Sequence, residues 1–409
     1  MLFCGIDWSD QTLEYHLRHA ERGELVKGTV AASVAGLADL YATLELHTRP
    51  EEIGVAIETC HGVWIQALLD RGYKIYPVSP KAADNFRKAL NDSGVKTDAI
   101  DSKTLALFLV TFHHDRTPLR PDDPEIVKIR ILCQDRLRLS EERVAKVNEL
   151  TAAIKGYYPA FLGVFGCLDS DIALDFLIQY PTQRQFRKLS AHRFVAWLGR
   201  RHYTCRRRID EMVEKLHAPA FEVAEHLQDS KKHLISYLGR SLKLLNAEID
   251  ERDEEINDLL KSLPESDWIL SLPGAGGVLG PSLLACIGRD PERFASTGEA
   301  RAFMGTAPVT KASGKARSVH FRWGCWKFAR RTLQLFADQS RHRCAWAAVF
   351  YQKQRDSGHG HHAALRALAH RWVKILLAMQ RTGSRYDEAI YMRAQRRHLL
   401  KCPSVKAAH

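Results

Sequence analysis

The first hundred residues alternate between strand and helix patterns of apolar positions. Short apolar or alternating runs predict strands at 2–7, 12–19, 24–31, 53–58 and 73–78. Apolar residues at helical spacing predict helices at 33–47 and 63–71 and a further helix opened by Asp101. The N-terminal part is therefore expected to be an α/β domain.

The element order narrows the fold class. Three strands followed by helix, strand, helix, strand and helix is the order of a ribonuclease-H-like domain, although doubly wound folds alternate similarly. At 409 residues the chain is too long for one core. We predict an α/β domain over 1–115, a long helical, coiled-coil middle over 116–265 and a mostly helical C-terminal domain over 266–409.

The middle carries a heptad seam of apolar residues. Steps of four and three join Leu238, Leu242, Leu245, Ile249, Arg252, Ile256, Leu259 and Leu263. This pattern fits a helix folded back within one chain or a dimerising coiled coil about equally well, and Arg252 at a seam position suits either.

The C-terminal part begins with a glycine-rich turn. Residues 272–277, Leu-Pro-Gly-Ala-Gly-Gly, separate two apolar helical stretches, as in a helix–hairpin–helix whose backbone N–H groups contact a phosphate. A plain helix–helix turn is the alternative. A Gly/Ser/Lys loop is expected from Gly305 to Gly314, then a basic-aromatic segment and an amphipathic helix over 363–379.

Composition excludes several classes of protein. The longest uncharged apolar stretch, 104–112, is far shorter than the roughly 20 residues of a membrane span. The N-terminus has no signal-peptide pattern, so we expect a cytoplasmic protein with no membrane partner. The nine cysteines include no C-x-x-C pair, which argues against a zinc ribbon or a disulfide framework.

The charge is distributed unevenly along the chain. The net charge is +12, yet the first 110 residues carry 15 acids against 11 Lys and Arg. Between Lys311 and Arg343 there are nine Lys or Arg and one acid, Asp338. An acidic N-terminal domain next to basic surfaces predicts a nucleic-acid partner. Of Trp323, Trp326 and Phe328 in this basic segment, two are expected to pack in a core.

Four carboxylates lie at the ends of predicted strands or at the start of a predicted helix, and not at positions typical of a hydrophobic core. Asp7 and Glu58 end apolar strands, and Asp98 and Asp101 stand three apart where a helix begins. Converging carboxylates need cations to stay ionised, and an all-oxygen set favours Mg²⁺ or Mn²⁺. A pair of such ions is suited to displacement at a phosphodiester. Taken singly, each acid could instead be a helix cap or a surface residue.

Several short motifs together resemble a known family. Gly5-Ile6-Asp7, Ala56-Ile57-Glu58 and residues 96–101 (K-T-D-A-I-D) are similar to the RuvC-like DEDD domain of insertion-sequence transposases and recombinases related to the Piv DNA invertase. Residues 272–276, 305–308 (G-T-A-P), 312–315 (A-S-G-K) and 322–324 (R-W-G) resemble the serine-containing C-terminal domain of that family.

The resemblance implies a function and a set of site residues. Family members cut and rejoin donor and target DNA, and the transposases use a structured non-coding guide RNA from their own element. Asp7, Glu58, Asp98 and Asp101 would hold two Mg²⁺ (or Mn²⁺) ions, and Ser313 would form a covalent serine–DNA phosphate. The family assembles as dimers and tetramers with a composite site. The protein would be prokaryotic and nucleoid-associated.

Nucleic-acid contacts are expected from two glycines and ten basic residues. They are Gly274, Gly276, Lys311, Lys315, Arg317, Arg322, Lys327, Arg330, Arg331, Arg206, Arg207 and Arg208.

Other functions stay open from sequence. A site-specific invertase of the same family would carry the same motifs. A metal-dependent junction nuclease would need the carboxylates but not Ser313. A non-catalytic nucleic-acid-binding protein would lack metal affinity at the four acids. An actin-like or sugar-kinase-type ATPase is disfavoured, because residues 8–10 (Trp-Ser-Asp) replace the glycine-rich phosphate loop that such enzymes need after the first strand.

Overall fold

The computed structural model describes residues 1–58, 62–90, 97–120, 122–203, 205–219, 221–314 and 316–393. Within the helices, the side chains of Ala160, Leu216 and His217 are not described. The chain divides into two compact units, Met1–Pro121 and Asp122–His409. The finer division into three domains stays a prediction.

The N-terminal unit is a mixed α/β fold. Its elements are β1 (Leu2–Trp8), β2 (Thr12–His19), β3 (Gly23–Ala31), α1 (Val34–Glu45), β4 (Ile53–Ile57), α2 (Val63–Asp70), β5 (Lys74–Pro77), α3 (Pro80–Leu90) and α4 (Asp98–Phe112). The strands form one sheet in the order β3-β2-β1-β4-β5. β1 runs antiparallel to β2 and parallel to β4, and β4 is parallel to β5.

Helices cover both faces of this sheet. Because side chains alternate along a strand, β1 contributes residues to a core on each face. Cys4 and Ile6 of β1 belong to the core that includes Leu40 of α1. Phe3 lies in a second core with Leu109 of α4.

Every strand and helix predicted in this unit is present, although α4 begins at Asp98 rather than at Asp101, and the prediction missed α3. Pro80 follows β5 and begins this 11-residue helix. Proline suits the first turn of a helix, because the backbone N–H groups of that turn have no hydrogen-bond partner within the helix.

The C-terminal unit is mostly helical. Its elements are α5 (Pro124–Tyr157), α6 (Asp171–Gln179), α7 (Gln183–Arg187), α8 (Ala191–Gly199), α9 (Arg206–His217), α10 (Glu225–Ser262), α11 (Ser266–Leu270), α12 (Leu279–Ile287), α13 (Thr297–Phe303), β6 (Val309–Ser313), β7 (Ala316–His320), α14 (Lys327–Ser340), α15 (Ala345–Asp356) and α16 (His361–Thr382). No helix within the described part of the chain is long and apolar enough to cross a membrane.

The two longest helices, α5 and α10, pack against each other within the chain. Six of the eight predicted seam positions, among them Leu238 and Ile256, are buried apolar residues. Leu259 is partly buried and packs against the same core as the buried Leu260. An ion pair of 2.8 Å joins Arg136 of α5 to Asp253 of α10. The seam is thus packed against the same chain, and dimerisation through it stays a prediction.

Two cores lie in this unit. One includes Ile154 of α5 and Phe176 of α6, and the other includes Leu283 of α12 and Trp372 of α16.

An ion-pair network ties α5 to the C-terminal half of the unit. The Arg289 guanidinium, which follows α12, donates to Glu265 at 2.7 Å, to Asp123 at 2.5 Å and to Glu125 at 3.0 Å. Glu265 is nearly buried, so its charge depends on this partner.

The segment expected to be a Gly/Ser/Lys loop is largely a β-hairpin. Val309 pairs with His320 and Ser313 with Ala316, so the two strands are separated by two residues along the chain. Gly314 has φ +55°, the left-handed conformation that tight hairpin turns require. The loop prediction failed because lysine and serine have weak strand propensity, and cross-strand pairing decides this structure.

Candidate active site

Asp7 lies near the end of β1 on the face that α4 covers. A Cβ built on Gly5 would lie 1.9 Å from the carbonyl oxygen of Ser102 and 2.5 Å from the amide nitrogen of Ala106. Only a glycine lets the backbones of β1 and α4 approach so closely. Asp7, two residues beyond Gly5, shares that face of the strand.

Glu58 follows β4, the parallel neighbour of β1. The register pairs Gly5 with Ala56 and Ile6 with Ile57, so Asp7 and Glu58 come next on adjacent strands. Ala56 packs in the core beneath α4. The alternation of side chains therefore carries Glu58 toward the same edge of the sheet as Asp7.

Asp98 and Asp101 stand in the first turn of α4, with Thr97 as the helix cap. Leu109, near the other end of α4, packs beneath Phe3 in the same core. Helix α4 consequently runs antiparallel to β1, and its N-terminal turn lies toward Asp7. Strand register and helix direction thus point all four predicted carboxylates toward the same end of the N-terminal sheet.

A cation from the missed helix α3 enters this acidic edge. Arg87 contacts Asp101 at 3.3 Å and Asp84 at 2.5 Å. Glu14 of β2, opposite Asp7 in the register, adds a further carboxylate that sequence reasoning missed. The spacing of Asp84 and Arg87, three apart after Pro80, is the signal that could have revealed α3.

The carboxylates suit a hard divalent ion by donor type, because all are oxygen ligands. No group of three or more His, Cys, Asp or Glu side chains is close enough to hold an ion among the described residues.

One buried histidine adjoins the same face. His16 of β2 pairs with Gly5 in the register and is 2% exposed. Its Nε2 has no hydrogen-bond partner among the residues that the structure describes, and the Glu24 carboxylate lies 3.8 Å away. Burial lowers the pKa of His16, which the charge of Glu24 opposes. Burial therefore favours the neutral form of the ring.

Ser313 ends β6 at the tip of the exposed hairpin. The pairing register puts Ser313, Lys311, Ser318 and His320 on one face of the ribbon. His320 shares this face with Ser313 and was not predicted as a site residue. The alternation of side chains along the two strands of the hairpin is the signal that could have identified it. Its Nε2 lies 2.9 Å from the Ser318 hydroxyl.

The cations expected around Ser313 are not all on its side of the hairpin. Lys311 is on the same face, whereas Arg317 pairs with Ala312 and lies on the opposite one. Because strand side chains alternate, Arg317 does not share the face of Ser313, and its expected contact with nucleic acid stays a prediction. Lys315 lies outside the described residues, as does Lys96 of the 96–101 motif.

Three other predicted cations have internal contacts. Arg322 donates to the carbonyl of Ala307 at 3.0 Å, and Arg330 donates to the carbonyl of Arg322 at 3.2 Å. Arg331 pairs with Glu141 of α5. These contacts fix the base of the hairpin on the helices. Lys327, in contrast, is exposed at the start of α14.

The remaining predicted contact residues are accessible. Gly276 is exposed in the turn between α11 and α12, and Gly274, with φ +88°, packs on Gln339. The helix–hairpin–helix assignment stays a prediction. Arg206, Arg207 and Arg208 are exposed at the start of α9.

The aromatic residues of the basic segment divide as expected. Phe328 is buried and Trp326 packs against the same core, while Trp323 is 78% exposed.

Sequence comparisons match both parts of the chain. The IS110 DEDD family model, described as Transposase, matches residues 4–159. The model described as Transposase IS116/IS110/IS902 family matches residues 266–352. Together the two matches cover more than half of the chain.

Relatives extend this likeness along the whole length. A mini-circle putative transposase for IS117 from Streptomyces coelicolor is 29% identical over 397 residues, which cover 95% of each chain. An uncharacterized 42 kDa protein of the insertion element IS900 from Mycobacterium paratuberculosis is 27% identical and covers 90% of this chain and 91% of its own. The chain belongs to the IS110/IS116 family of insertion-sequence transposases, a family of DNA-cutting and rejoining enzymes.

Proposed function

We propose that this protein is an RNA-guided transposase or recombinase of an insertion sequence. It cuts and rejoins DNA through a covalent serine–DNA phosphate on Ser313, assisted by metal ions at Asp7, Glu58, Asp98 and Asp101. What supports the proposal is the strand register and the direction of α4, which point these four carboxylates toward the same end of the N-terminal sheet.

The N-terminal unit supports the metal-site part of this proposal. Its strand order and directions fit a ribonuclease-H-like, RuvC-like domain. Divalent ions held at the carboxylate edge would stabilise charge on the attacking and leaving oxygens of a displacement at phosphorus. Arg87 balances part of the negative charge at Asp101 and keeps that carboxylate close to α3.

The hairpin supports the serine part. The Ser313 hydroxyl is exposed next to Gly314, so a phosphodiester can approach it. In the step, the hydroxyl loses its proton, an Oγ–P bond forms and the P–O bond to one deoxyribose oxygen breaks. That oxygen takes up a proton and leaves as a hydroxyl. Because the product is again a phosphodiester, the reverse attack by another DNA hydroxyl rejoins DNA without an added energy source. Lys311, on the same face, offers positive charge to the phosphate.

The expected partners follow from charge and shape. A two-stranded ribbon fits the major groove of DNA, and the hairpin is exposed along both strands apart from Val309, which is partly exposed. Arg206 to Arg208 on α9 suit phosphate contacts with DNA or with the guide RNA. Guide RNA and assembly as dimers and tetramers are carried over from the family resemblance.

The test is trapping of the covalent intermediate. Labelled donor DNA is incubated with Mg²⁺, the protein and RNA transcribed from its own flanking DNA, and the products are separated on a denaturing protein gel. We expect a labelled band at protein size that Ser313→Ala and Asp7→Asn both abolish. Ser318→Ala, on the same face of the hairpin, and Asp39→Asn on α1 are the matched controls and should retain the band.

The outcomes separate the alternatives. Free cut DNA from wild type and Ser313→Ala, lost only in Asp7→Asn, would replace the proposal with a junction nuclease that lacks a serine intermediate. A covalent band that forms equally well without RNA would favour a site-specific invertase.

A further inference from the structure

The C-terminal unit contains a large groove that the serine motif does not explain. Its volume is about 1700 Å³. One wall is the turn at 305–308 and the end of β7, and the opposite walls are α15 and one face of α16. Apolar side chains, among them Trp346, Phe350 and Ile375, supply most of the lining.

Four arginines at this groove define what we call the arginine row: Arg301, Arg366, Arg371 and the adjoining Arg330. None of the four makes an ion pair with a carboxylate among the described residues. Arginines elsewhere in the unit, such as Arg289 and Arg136, do so. The two acids of the groove already have other contacts, Asp387 with Arg393 and Glu388 with the amide of Trp346.

The row is held together by contacts other than charge neutralisation. Phe321 is placed between two guanidinium groups, with Arg330 and Arg366 each 4.8 Å from its ring centroid. Arg301 donates to the carbonyl of His370 at 2.9 Å. Arg371 lies 4.4 Å from the ring centroid of Phe350.

Like charges gathered in this way repel one another. The pKa of Arg366 is lowered, first by burial and then by Arg330, and that of Arg301 is lowered by burial and by Arg371. His370 has its pKa lowered in the same way by burial and by Arg301, and its Nδ1 is buried without a partner in the described structure. An external anion would remove this repulsion.

We propose that this groove binds a single DNA strand, with backbone phosphates on the arginine row and unpaired bases on the apolar lining. Phosphate on guanidinium and base on aromatic or apolar surface is the general chemistry of single-strand recognition. The inference rests on the proposed function, because it assigns the strand to the DNA that Ser313 attacks.

The hairpin links the groove to Ser313. Val309 and His320 close the base of the ribbon, and Ser313 stands four residues farther along, roughly 13 Å at strand spacing. His320 and Phe321 line the groove itself. A strand held there continues toward the serine over only a few nucleotides, which favours DNA over guide RNA as the occupant.

The experiment measures binding separately from cleavage. In the full-length Ser313→Ala background, the affinity for a fluorescent single-stranded DNA and for RNA of the same sequence is measured across salt concentrations. Arg366→Gln and Arg371→Gln are compared with Arg240→Gln on α10, an exposed arginine outside the groove. We expect each groove variant to weaken DNA binding roughly tenfold. Each should also reduce the salt slope by about 0.7. The melting temperature should stay unchanged or rise, because repulsion is relieved.

Three results would overturn the inference. They are an unchanged DNA affinity with a lower melting temperature, a loss confined to RNA, and an equal loss in Arg240→Gln. The first would make the row structural, the second would assign the groove to RNA, and the third would show only the effect of net charge. Failure of the covalent trapping experiment leaves these binding results intact, so the two proposals fail separately.

Discussion

The contact between Gly5 and α4 offers the sharpest test of how the N-terminal unit places its carboxylates. In Gly5→Ala the new methyl group would lie 1.9 Å from the backbone oxygen of Ser102. Ordinary carbon–oxygen contacts are about 3.5 Å, so β1 and α4 must separate by more than 1 Å. The obstacle is backbone, which cannot rotate away as a flexible side chain can.

The magnitude follows from overpacking. Inserting a methylene into a packed core costs about 1–3 kcal/mol, and backbone clashes lie at or above that limit, so we expect a loss of about 3–5 kcal/mol. For a unit of 121 residues this is a fall in melting temperature of roughly 10–20 °C. The shift of α4 also moves Asp98 and Asp101 away from Asp7, so DNA cleavage should fall by more than the folded fraction explains.

Two other glycines calibrate the measurement. Gly54→Ala would meet only side chains, at 3.1–3.3 Å from Phe3, Leu109 and Tyr76, and should cost less. Gly156→Ala, near the end of α5 with open space around it, should be neutral or stabilising by up to about 1 kcal/mol. The assay is thermal unfolding together with hydrogen exchange of α4 peptides. A Gly5→Ala protein with wild-type melting temperature and unchanged protection of α4 would refute the packing argument.

Two further predictions concern stability. Arg289→Gln leaves the nearly buried Glu265 without its partner and should lower the free energy of unfolding by about 1–2 kcal/mol in urea titrations, after allowance for solvent screening. The exposed Arg138→Gln should change it by less than about 0.5 kcal/mol, and equal effects would contradict the network. The pKa of His16 is lowered in the folded state, so the unfolded state binds protons more readily. The contribution of the neutral His16 ring to the free energy of unfolding is therefore complete above about pH 6.5 and is lost as the pH falls. His16→Gln should therefore lose less stability than wild type between pH 7 and pH 5, and parallel losses would disprove this.

Local patterns predicted most of the elements, because an element that is buried on one face carries apolar residues at a regular spacing in the sequence. All five strands of the N-terminal sheet and the heptad helix could be found in this way. Helix α3 was missed because its apolar face is short: only Ala83 is buried, and Ala82 and Phe86 pack partly against the core. The hairpin of Ser313 was missed for the same reason, since its two strands pair with each other and almost no residue is buried.

The sequence by itself determined the element order of the first unit, the charge asymmetry and the identity of the four carboxylates, since these depend on residue type and local spacing. Only the tertiary structure decided which groups share a face. It brought Arg87 to Asp101, placed Arg317 on the far side of the hairpin from Ser313 and gathered the arginine row from α13, α14 and α16. Arg87 and Asp101 are 14 residues apart along the chain, and Arg301 and Arg371 are 70 apart. Helix packing brings such distant segments together, and no local period in the sequence records these contacts.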